Sequence, residues 1–201
     1  MIHITRIDGI EHVTGRLSHC PELVERATVS ALNKIGAQGI TQTKRAITKK
    51  YNIKQKDLKG SLVLHRAARG TKSREGRHFA RIAATGSSIP LYKFAARPVE
   101  PKPQAGVAVK RRTPVTVKVM KQGGRKKVPH AFIGRMASGH VGVFTREGKA
   151  SLPIRERYSV GVAKMFEKEG VKAAEAITRT KGRQIVQQEL NYYTKHWGGK
   201  K

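Results

Sequence analysis

The chain has few acidic residues, almost no cysteine and few aromatic rings. Its 201 residues include 13 Asp and Glu, one Cys and 5% aromatic residues. The single cysteine, Cys20, excludes an internal disulfide and a zinc site built from several cysteines. No window approaches the ~18 consecutive apolar residues of a membrane-spanning helix. The N-terminal stretch MIHITRIDGIEHV has no basic start followed by an apolar run. These absences predict a soluble cytoplasmic protein without a signal peptide and without a membrane partner.

Motifs of catalysis are also missing. The sequence has no phosphate-binding or dinucleotide-binding glycine loop, no H-E-x-x-H pair and no G-x-S-x-G elbow. A two-metal nuclease, the enzyme that would best suit a basic protein, needs several converging carboxylates. Glu167 and Glu169 are two positions apart on a predicted helix, so they face different directions. We therefore predict a non-enzymatic protein with no catalytic residue, metal or cofactor, and a nuclease is the enzymatic alternative.

Positive charge is what the sequence has in excess, and it is concentrated. The 42 Lys and Arg give a formal net charge of +29. Residues 44–77 and 93–127 each carry a net charge of +10, whereas residues 1–43 are net neutral. Blocks of like charge this large usually meet an anionic partner. The alternative is a solvated face that serves only solubility.

Runs of neighbouring Lys and Arg within these blocks are the candidate contacts for nucleic acid or for an acidic protein. Hairpin tips that carry basic triplets can reach phosphates without reading bases. Cations near the end of the first predicted helix have a structural alternative, since they also interact favourably with the helix dipole. The five phenylalanines lie in apolar contexts and are expected to be core residues, so no platform for stacking bases is predicted. The candidate contacts are Lys44, Arg45, Lys49, Lys50, Lys110, Arg111, Arg112, Arg125, Lys126 and Lys127.

Helical periodicity marks both ends of the chain. Pro21, followed by two glutamates, has the pattern of a helix start. Apolar or small residues then recur at spacings of three and four, which predicts a helix over 21–48. Gly36 and Gly39 in this helix are expected to allow another backbone to pack closely. The period returns after the middle of the chain and predicts a helix over 160–195. Its expected buried side chains are Val162, Phe166, Ala173, Ile177, Val186, Leu190, Tyr193 and Trp197.

Between the two helices the hydrophobic period changes towards two, which is typical of strands in an antiparallel sheet. Gly123-Gly124 gives a hairpin signal between two of these strands. The predicted strands cover residues 61–66, 78–84, 107–111, 115–119, 125–128 and 140–145.

The predicted fold class is α+β, with a small antiparallel sheet packed against a long N-terminal helix and a long C-terminal helix. A single domain is expected over residues 1–201. Segments 69–77 and 97–106 are polar or rich in proline and are expected to be mobile. The end of the chain, 198–201, is expected to fray.

Eight short stretches follow one another in an order and spacing that resemble a known family. They are ALNKI at 31–35, TKRAI at 43–47, YNI at 51–53, DL at 57–58, AFI at 131–133, VFTR at 143–146, LPIR at 152–155 and YSVGVA at 158–163. Together, over roughly residues 20–195, they resemble the prophage minor tail protein Z family, the tail-completion proteins of long-tailed phages.

That resemblance implies a non-enzymatic virion protein with an α+β fold and no catalytic residue. Such a protein acts late in tail assembly near the head-proximal end, and it prepares the tail for joining to the DNA-filled head. Its expected partners are tail tube, tail terminator or neck proteins, genomic DNA in the axial channel and further copies of itself. Its expected location is the virion tail, with the host cytoplasm during assembly. The alternative from charge alone is a sequence-independent nucleic-acid-binding protein of ribosomal or chromatin type.

Overall fold

The N-terminal helix is present as predicted. Helix α1 spans Pro21–Lys50, and its first turn is held by the carbonyl of Cys20, which accepts from the amides of Leu23 and Val24 at 3.1 and 3.2 Å. Proline suits the first helical position because the amide it lacks would have no partner there. A computed structural model describes the chain over residues 20–69, 78–86, 88–101, 113–148 and 150–197.

The C-terminal helical segment is also confirmed, and it has three parts. Helix α2, Val162–Met165, passes into a π-helical turn, Phe166–Gly170, and then into helix α3, Val171–Trp197. A π turn holds more residues than an α turn. The buried face therefore continues at Ala174, which is 2% exposed, rather than at the predicted Ala173, which is half-buried.

Short strands and two 3₁₀ helices lie between these helical segments in the described residues. The 3₁₀ helices are Gln55–Leu58 and Leu91–Lys93. The strands are β1 (Leu62–His65), β2 (Arg81–Ala84), β3 (Ser88–Pro90), β4 (Thr116–Val117), β5 (Lys126–Lys127), β6 (Ala131–Arg135), β7 (Val141–Arg146), β8 (Ile154–Glu156) and β9 (Tyr158–Gly161).

All strand pairs are antiparallel, which confirms the predicted α+β class. The strands form three two-stranded sheets, β1–β2, β3–β9 and β4–β5, and one three-stranded sheet in the order β6–β7–β8. The fold thus has several small sheets where the sequence suggested one. Strands β3, β6, β8 and β9 were not predicted from the sequence.

Several predicted features lie outside the described residues. These are the strand at 107–111, residues 70–77 and 102–106 of the two segments expected to be mobile, and the end at 198–201. Of the second segment, residues 97–101 are described, among them Arg97. It exchanges two backbone hydrogen bonds with Thr116, at 2.8 and 2.9 Å.

The chain divides into two compact units. The first, here the helix unit, has described residues 20–46, 60–69, 78–85 and 165–197. The second, the sheet unit, has described residues 47–59, 86, 88–101, 113–148 and 150–164.

In the helix unit, α1 and α3 pack in antiparallel orientation. The Thr43 hydroxyl near the end of α1 donates to the carbonyl of Gly170 at 3.2 Å, and Ser30 near the start of α1 contacts Glu189 near the end of α3. The β1–β2 sheet packs on α1, where a Cβ at Gly36 would lie 2.7 Å from Cδ1 of Leu64, so a leucine side chain packs at this glycine where a second backbone was expected. The apolar contact between the helices is formed by Ala27, Ala31, Ile35, Ile185, Val186 and Leu190.

A buried carboxylate fixes the register of these two helices. Glu189 is 6% exposed, and its two oxygens accept from the Ser30 hydroxyl at 2.6 Å and from the Lys34 ammonium at 2.5 Å. The hydrogen bond to Glu189 raises the pKa of Lys34, although desolvation opposes part of that effect. A buried carboxylate is tolerable only with such partners, so a slip of one turn would leave it unsatisfied.

The sheet unit has its own apolar cluster, formed by Ala96, Val115, Val117, Ile133 and Val143. Strand β4 contributes to this cluster and is bonded on both sides. On one side it forms a bridge with Arg97, and on the other it pairs with Lys126 and Lys127 of β5. The connection between β4 and β5 contains Gly123, whose φ of +91° suits a residue without a side chain. The predicted hairpin is therefore confirmed, with a longer connection than a two-residue turn.

Candidate functional site

Seven of the ten predicted contact residues lie in the described part of the chain. Lys44 and Arg45 belong to the helix unit, whereas Lys49, Lys50 and the three residues at 125–127 belong to the sheet unit. The remaining three, Lys110, Arg111 and Arg112, lie outside the described residues.

Within the sheet unit, the end of α1 lies against the connection between β4 and β5. The amide of Lys121 donates to the carbonyl of Lys50 at 2.9 Å, and the amide of Asn52 donates to the carbonyl of Val119 at 2.8 Å. Tyr51 and Met120 form an antiparallel bridge between these two bonds. The structure therefore places Lys49 and Lys50 beside residues 119–121, which are about seventy residues away in the sequence.

Two lysines of this region were missed by the sequence analysis. Lys118 and Lys121 lie in the connection itself and stand singly, separated by Val119 and Met120. Isolated lysines give no cluster signal, and their proximity to the end of α1 depends on pairing between distant segments. The set Lys49, Lys50, Lys118, Lys121, Lys126 and Lys127 is called the basic surface below.

Arg125 differs from its two neighbours because its guanidinium is used inside the fold. Its Nε donates to Oγ1 of Thr116 at 3.1 Å, and its Nη2 donates to the Thr116 carbonyl at 3.0 Å and to the carbonyl of Ala95. Ala95 has a φ of +47°, which is unusual for a residue with a side chain. The guanidinium thus ties β4 to this strained residue, a structural role that leaves fewer donors for a partner.

Lys126 and Lys127, by contrast, are exposed, and neither forms an ion pair with any described residue. Strand β5 has β4 as its only strand partner in the described part of the chain. Lysines on such an edge also discourage edge-to-edge association, so the pair has a structural explanation as well as a functional one.

The charge balance of the sheet unit favours an anionic partner. Its described residues include seventeen Lys and Arg and four Asp and Glu. Each of the four acids is engaged by a residue outside the basic surface. Asp57 pairs with Lys93 at 3.2 Å, and Glu100 pairs with Arg135 at 2.9 Å. The other pairs are Glu147 with Arg155 at 2.5 Å and Glu156 with His140 at 2.9 Å.

Glu156 is the centre of the one polar cluster that resembles a catalytic arrangement among the described residues. Besides His140, it accepts a hydrogen bond of 2.8 Å from the Tyr158 hydroxyl, which raises the pKa of Tyr158. Both carboxylate oxygens of Glu156 therefore have hydrogen-bond partners within the protein. In the described residues, no group of three His, Cys, Asp or Glu side chains could hold a metal ion.

Comparison with known proteins adds one finding. The family model described as prophage minor tail protein Z (GPZ) matches residues 7–196. No curated protein and no solved structure matches the chain. Among the described residues, none of the helices combines the length and apolar character that a membrane span requires.

Proposed function

This chain belongs to the prophage minor tail protein Z family, and from that premise we propose that it completes the phage tail at its head-proximal end. It is a minor tail protein with a structural role, and other tail components are its partners. In the proposed role, it prepares the tail for joining to the head and for the passage of DNA. The observation that carries the proposal is the match of the family model to nearly the whole chain.

The proposed partners are the tail tube, tail terminator or neck proteins, together with further copies of this chain in the particle. The protein would enter the virion from the host cytoplasm during assembly. A non-enzymatic role is part of the proposal, and membership of a structural tail family supports it.

A complementation experiment tests this role. Phage with a nonsense mutation in this gene should produce tails of normal length that do not join to filled heads. Adding the purified chain to those tails, before the heads are added, should restore infectious particles. Short or absent tails in the mutant, or infectious particles without the chain, would contradict a role in completion.

The basic surface is the part of the chain that we propose to meet the anion, and DNA is the slightly favoured anion. Basic side chains at a hairpin suit phosphates, and they also suit the carboxylates of a neighbouring tail protein. The predicted contacts Lys44, Arg45, Lys110, Arg111 and Arg112 belong to the same proposal. Arg125 supports the hairpin from within.

A four-residue variant separates DNA from an acidic protein as the partner. Lys49, Lys121, Lys126 and Lys127 are all exposed, and changing them to Gln leaves Arg125 and the apolar cluster intact. If these lysines neutralise phosphates, the slope of log affinity against log salt should become shallower by about 0.9 for each phosphate that the variant leaves unneutralised.

The matched control removes four exposed lysines of the helix unit, Lys168, Lys172, Lys181 and Lys195. It lowers the net charge equally and should change the slope less. Unchanged DNA binding with loss of incorporation into tails would identify an acidic protein as the partner. Tight binding to free duplex at physiological salt, with normal complementation by the four-residue variant, would favour the general nucleic-acid-binding alternative.

A further inference from the structure

The second half of α3 differs from the rest of the protein in its charge. Residues 172–183 carry four basic side chains, whereas residues 184–194 contain one charged residue, Glu189. That glutamate is buried against α1 and paired with Lys34. The exposed surface of this part of α3 is therefore uncharged, in a chain with a net charge of +29.

Amide side chains cover this surface. Gln184, Gln187, Gln188 and Asn191 are all exposed, and Tyr192 beside them is 55% exposed. An amide group both donates and accepts hydrogen bonds, so a row of amides is complementary to an identical row. This property distinguishes the surface from a basic one, which repels its own copy. The amide face is defined here as Arg183, Gln184, Gln187, Gln188, Asn191 and Tyr192.

We propose that the amide face binds the amide face of a second copy of this chain, with the two α3 helices antiparallel about a two-fold axis. The axis passes between Gln187 and Gln188. In a two-fold contact, residue i of one copy meets residue j of the other and the reverse. The axis therefore places Gln187 opposite Gln188 and Gln184 opposite Asn191.

The same axis also gives a partner to Arg183, the single cation of the amide face. It places Arg183 of each copy opposite Tyr192 of the other, where a guanidinium can lie over an aromatic ring. No cation of the amide face then meets another cation. Because the centre of this face is uncharged, copies of so basic a chain can approach one another through it without meeting like charges, and the occupant is a second copy rather than a charged partner.

One face of one helix buries less area than a stable interface needs, so the pair is a weak dimer of the free protein. The proteins of a tail are arranged around a polar axis, because one end of the tail meets the head and the other does not. A polar assembly cannot contain a two-fold axis perpendicular to the tail axis. The dimer therefore belongs to the protein before it joins the tail, and it stands independently of the role in tail completion.

Charge exchange at the axis tests this pairing on the purified chain. One variant carries Gln187→Glu with Gln188→Glu, and another carries Gln187→Lys with Gln188→Lys. Sedimentation equilibrium would be measured over about two decades of concentration, up to about 500 µM, because the contact is weak. The dimer Kd should rise at least tenfold for each variant alone, since like charges then meet. An equimolar mixture should restore dimers, which also shows that both variants fold.

The matched control places the same charges at Gln38 and Gln42 on the solvent side of α1 in the helix unit, and it should change the Kd less than twofold. Raising NaCl from about 0.15 M to about 0.5 M should tighten the wild-type dimer, because the repulsion between copies is screened. A monomer at every concentration, or a mixture no more dimeric than its components, would overturn the proposal.

Discussion

The helix unit and the sheet unit hold themselves together in different ways. In the helix unit, two helices of 30 and 27 residues bury a continuous apolar contact, and the acid Glu189 is used between them. In the sheet unit, strands of two to six residues surround a small apolar cluster. The side chain of Arg125 adds a hydrogen bond to Thr116 of β4.

The two units also differ in charge, and the sheet unit has the larger excess of basic residues. The described helix unit has thirteen basic and six acidic residues, and the sheet unit has seventeen and four. The long helices thus provide most of the scaffold, whereas the hairpin of the sheet unit presents lysines, Lys126 and Lys127, that form no ion pair with any described residue.

The largest effect is expected from Phe94→Ala in the sheet unit. Phe94 is 0% exposed, and removing such a ring costs about 3–5 kcal/mol of unfolding free energy. We propose that residues 1–201 fold as one cooperative domain, so the helices should lose stability in the same transition. Denaturant unfolding followed by circular dichroism at 222 nm, with hydrogen exchange of β6 and β7, measures both units.

The matched variant in the helix unit is Ile35→Ala, at a side chain that is 2% exposed, with an expected cost of about 2–5 kcal/mol. Both variants should show one transition. Two separate transitions, or helices unaffected by the change at Phe94, would show that the units fold independently and would break the single-domain expectation.

A smaller effect is expected from Arg125→Gln, which tests whether this residue belongs to the scaffold or to the presented charge. Its guanidinium donates to Thr116 and Ala95, so the variant should lose about 2 kcal/mol. Lys126→Gln and Lys127→Gln remove the same charge at exposed positions and should stay within about 0.5 kcal/mol of wild type. Equal thermal stability of all three variants would remove the structural role assigned to Arg125.

Gly170→Ala tests how closely the C-terminal helical segment packs against α1 at Thr43. A Cβ there would lie 2.5 Å from Cδ2 of Phe166 and 2.9 Å from Cγ2 of Thr43, and both side chains are buried. Overpacking costs about 1–3 kcal/mol, and the better helix propensity of alanine returns part of it. A net loss of about 1–2 kcal/mol is expected by thermal unfolding. Gly124→Ala in the sheet unit, where a Cβ meets nothing within 4 Å, is the control and should not destabilise.

The smallest effect concerns pH. The hydrogen bond to Glu189 raises the pKa of Lys34 above its ordinary value of 10.5. A raised pKa in the folded state adds stability that is complete below the unfolded value and is lost as pH rises through the folded value. The stability advantage of wild type over Lys34→Met should therefore hold up to about pH 10 and shrink as the pH rises further. Lys172→Met is the control, and a pH-independent advantage at position 34 would contradict the pairing.

Sequence reasoning found the helices because their signals are local. Pro21 starts α1, and the spacing of apolar residues follows the helical period over many turns. The π turn could not be foreseen, since it depends on how Phe166 and Gly170 pack. The cores were partly predicted. Phe94 is buried as expected, but Phe79 is 40% exposed, because an apolar neighbourhood in sequence does not guarantee burial.

The candidate site was predicted only where basic residues are adjacent in sequence. The run at 125–127 was found, although a sequence cannot reveal that Arg125 bonds to a carbonyl thirty residues earlier. Lys118 and Lys121 join the basic surface through backbone pairing with residues 50–52, which is a long-range property. Which anion meets this surface stays a prediction.

The most direct test of the central claim is an electron cryo-microscopy map of the assembled phage particle. The proposed role predicts density for this chain, recognisable by the antiparallel pair α1 and α3, at the head-proximal end of the tail. The basic surface should face either the DNA in the channel or acidic residues of a neighbouring protein. Density for the chain at the distal tip, or a mature particle that lacks it, would contradict a role in completing the tail.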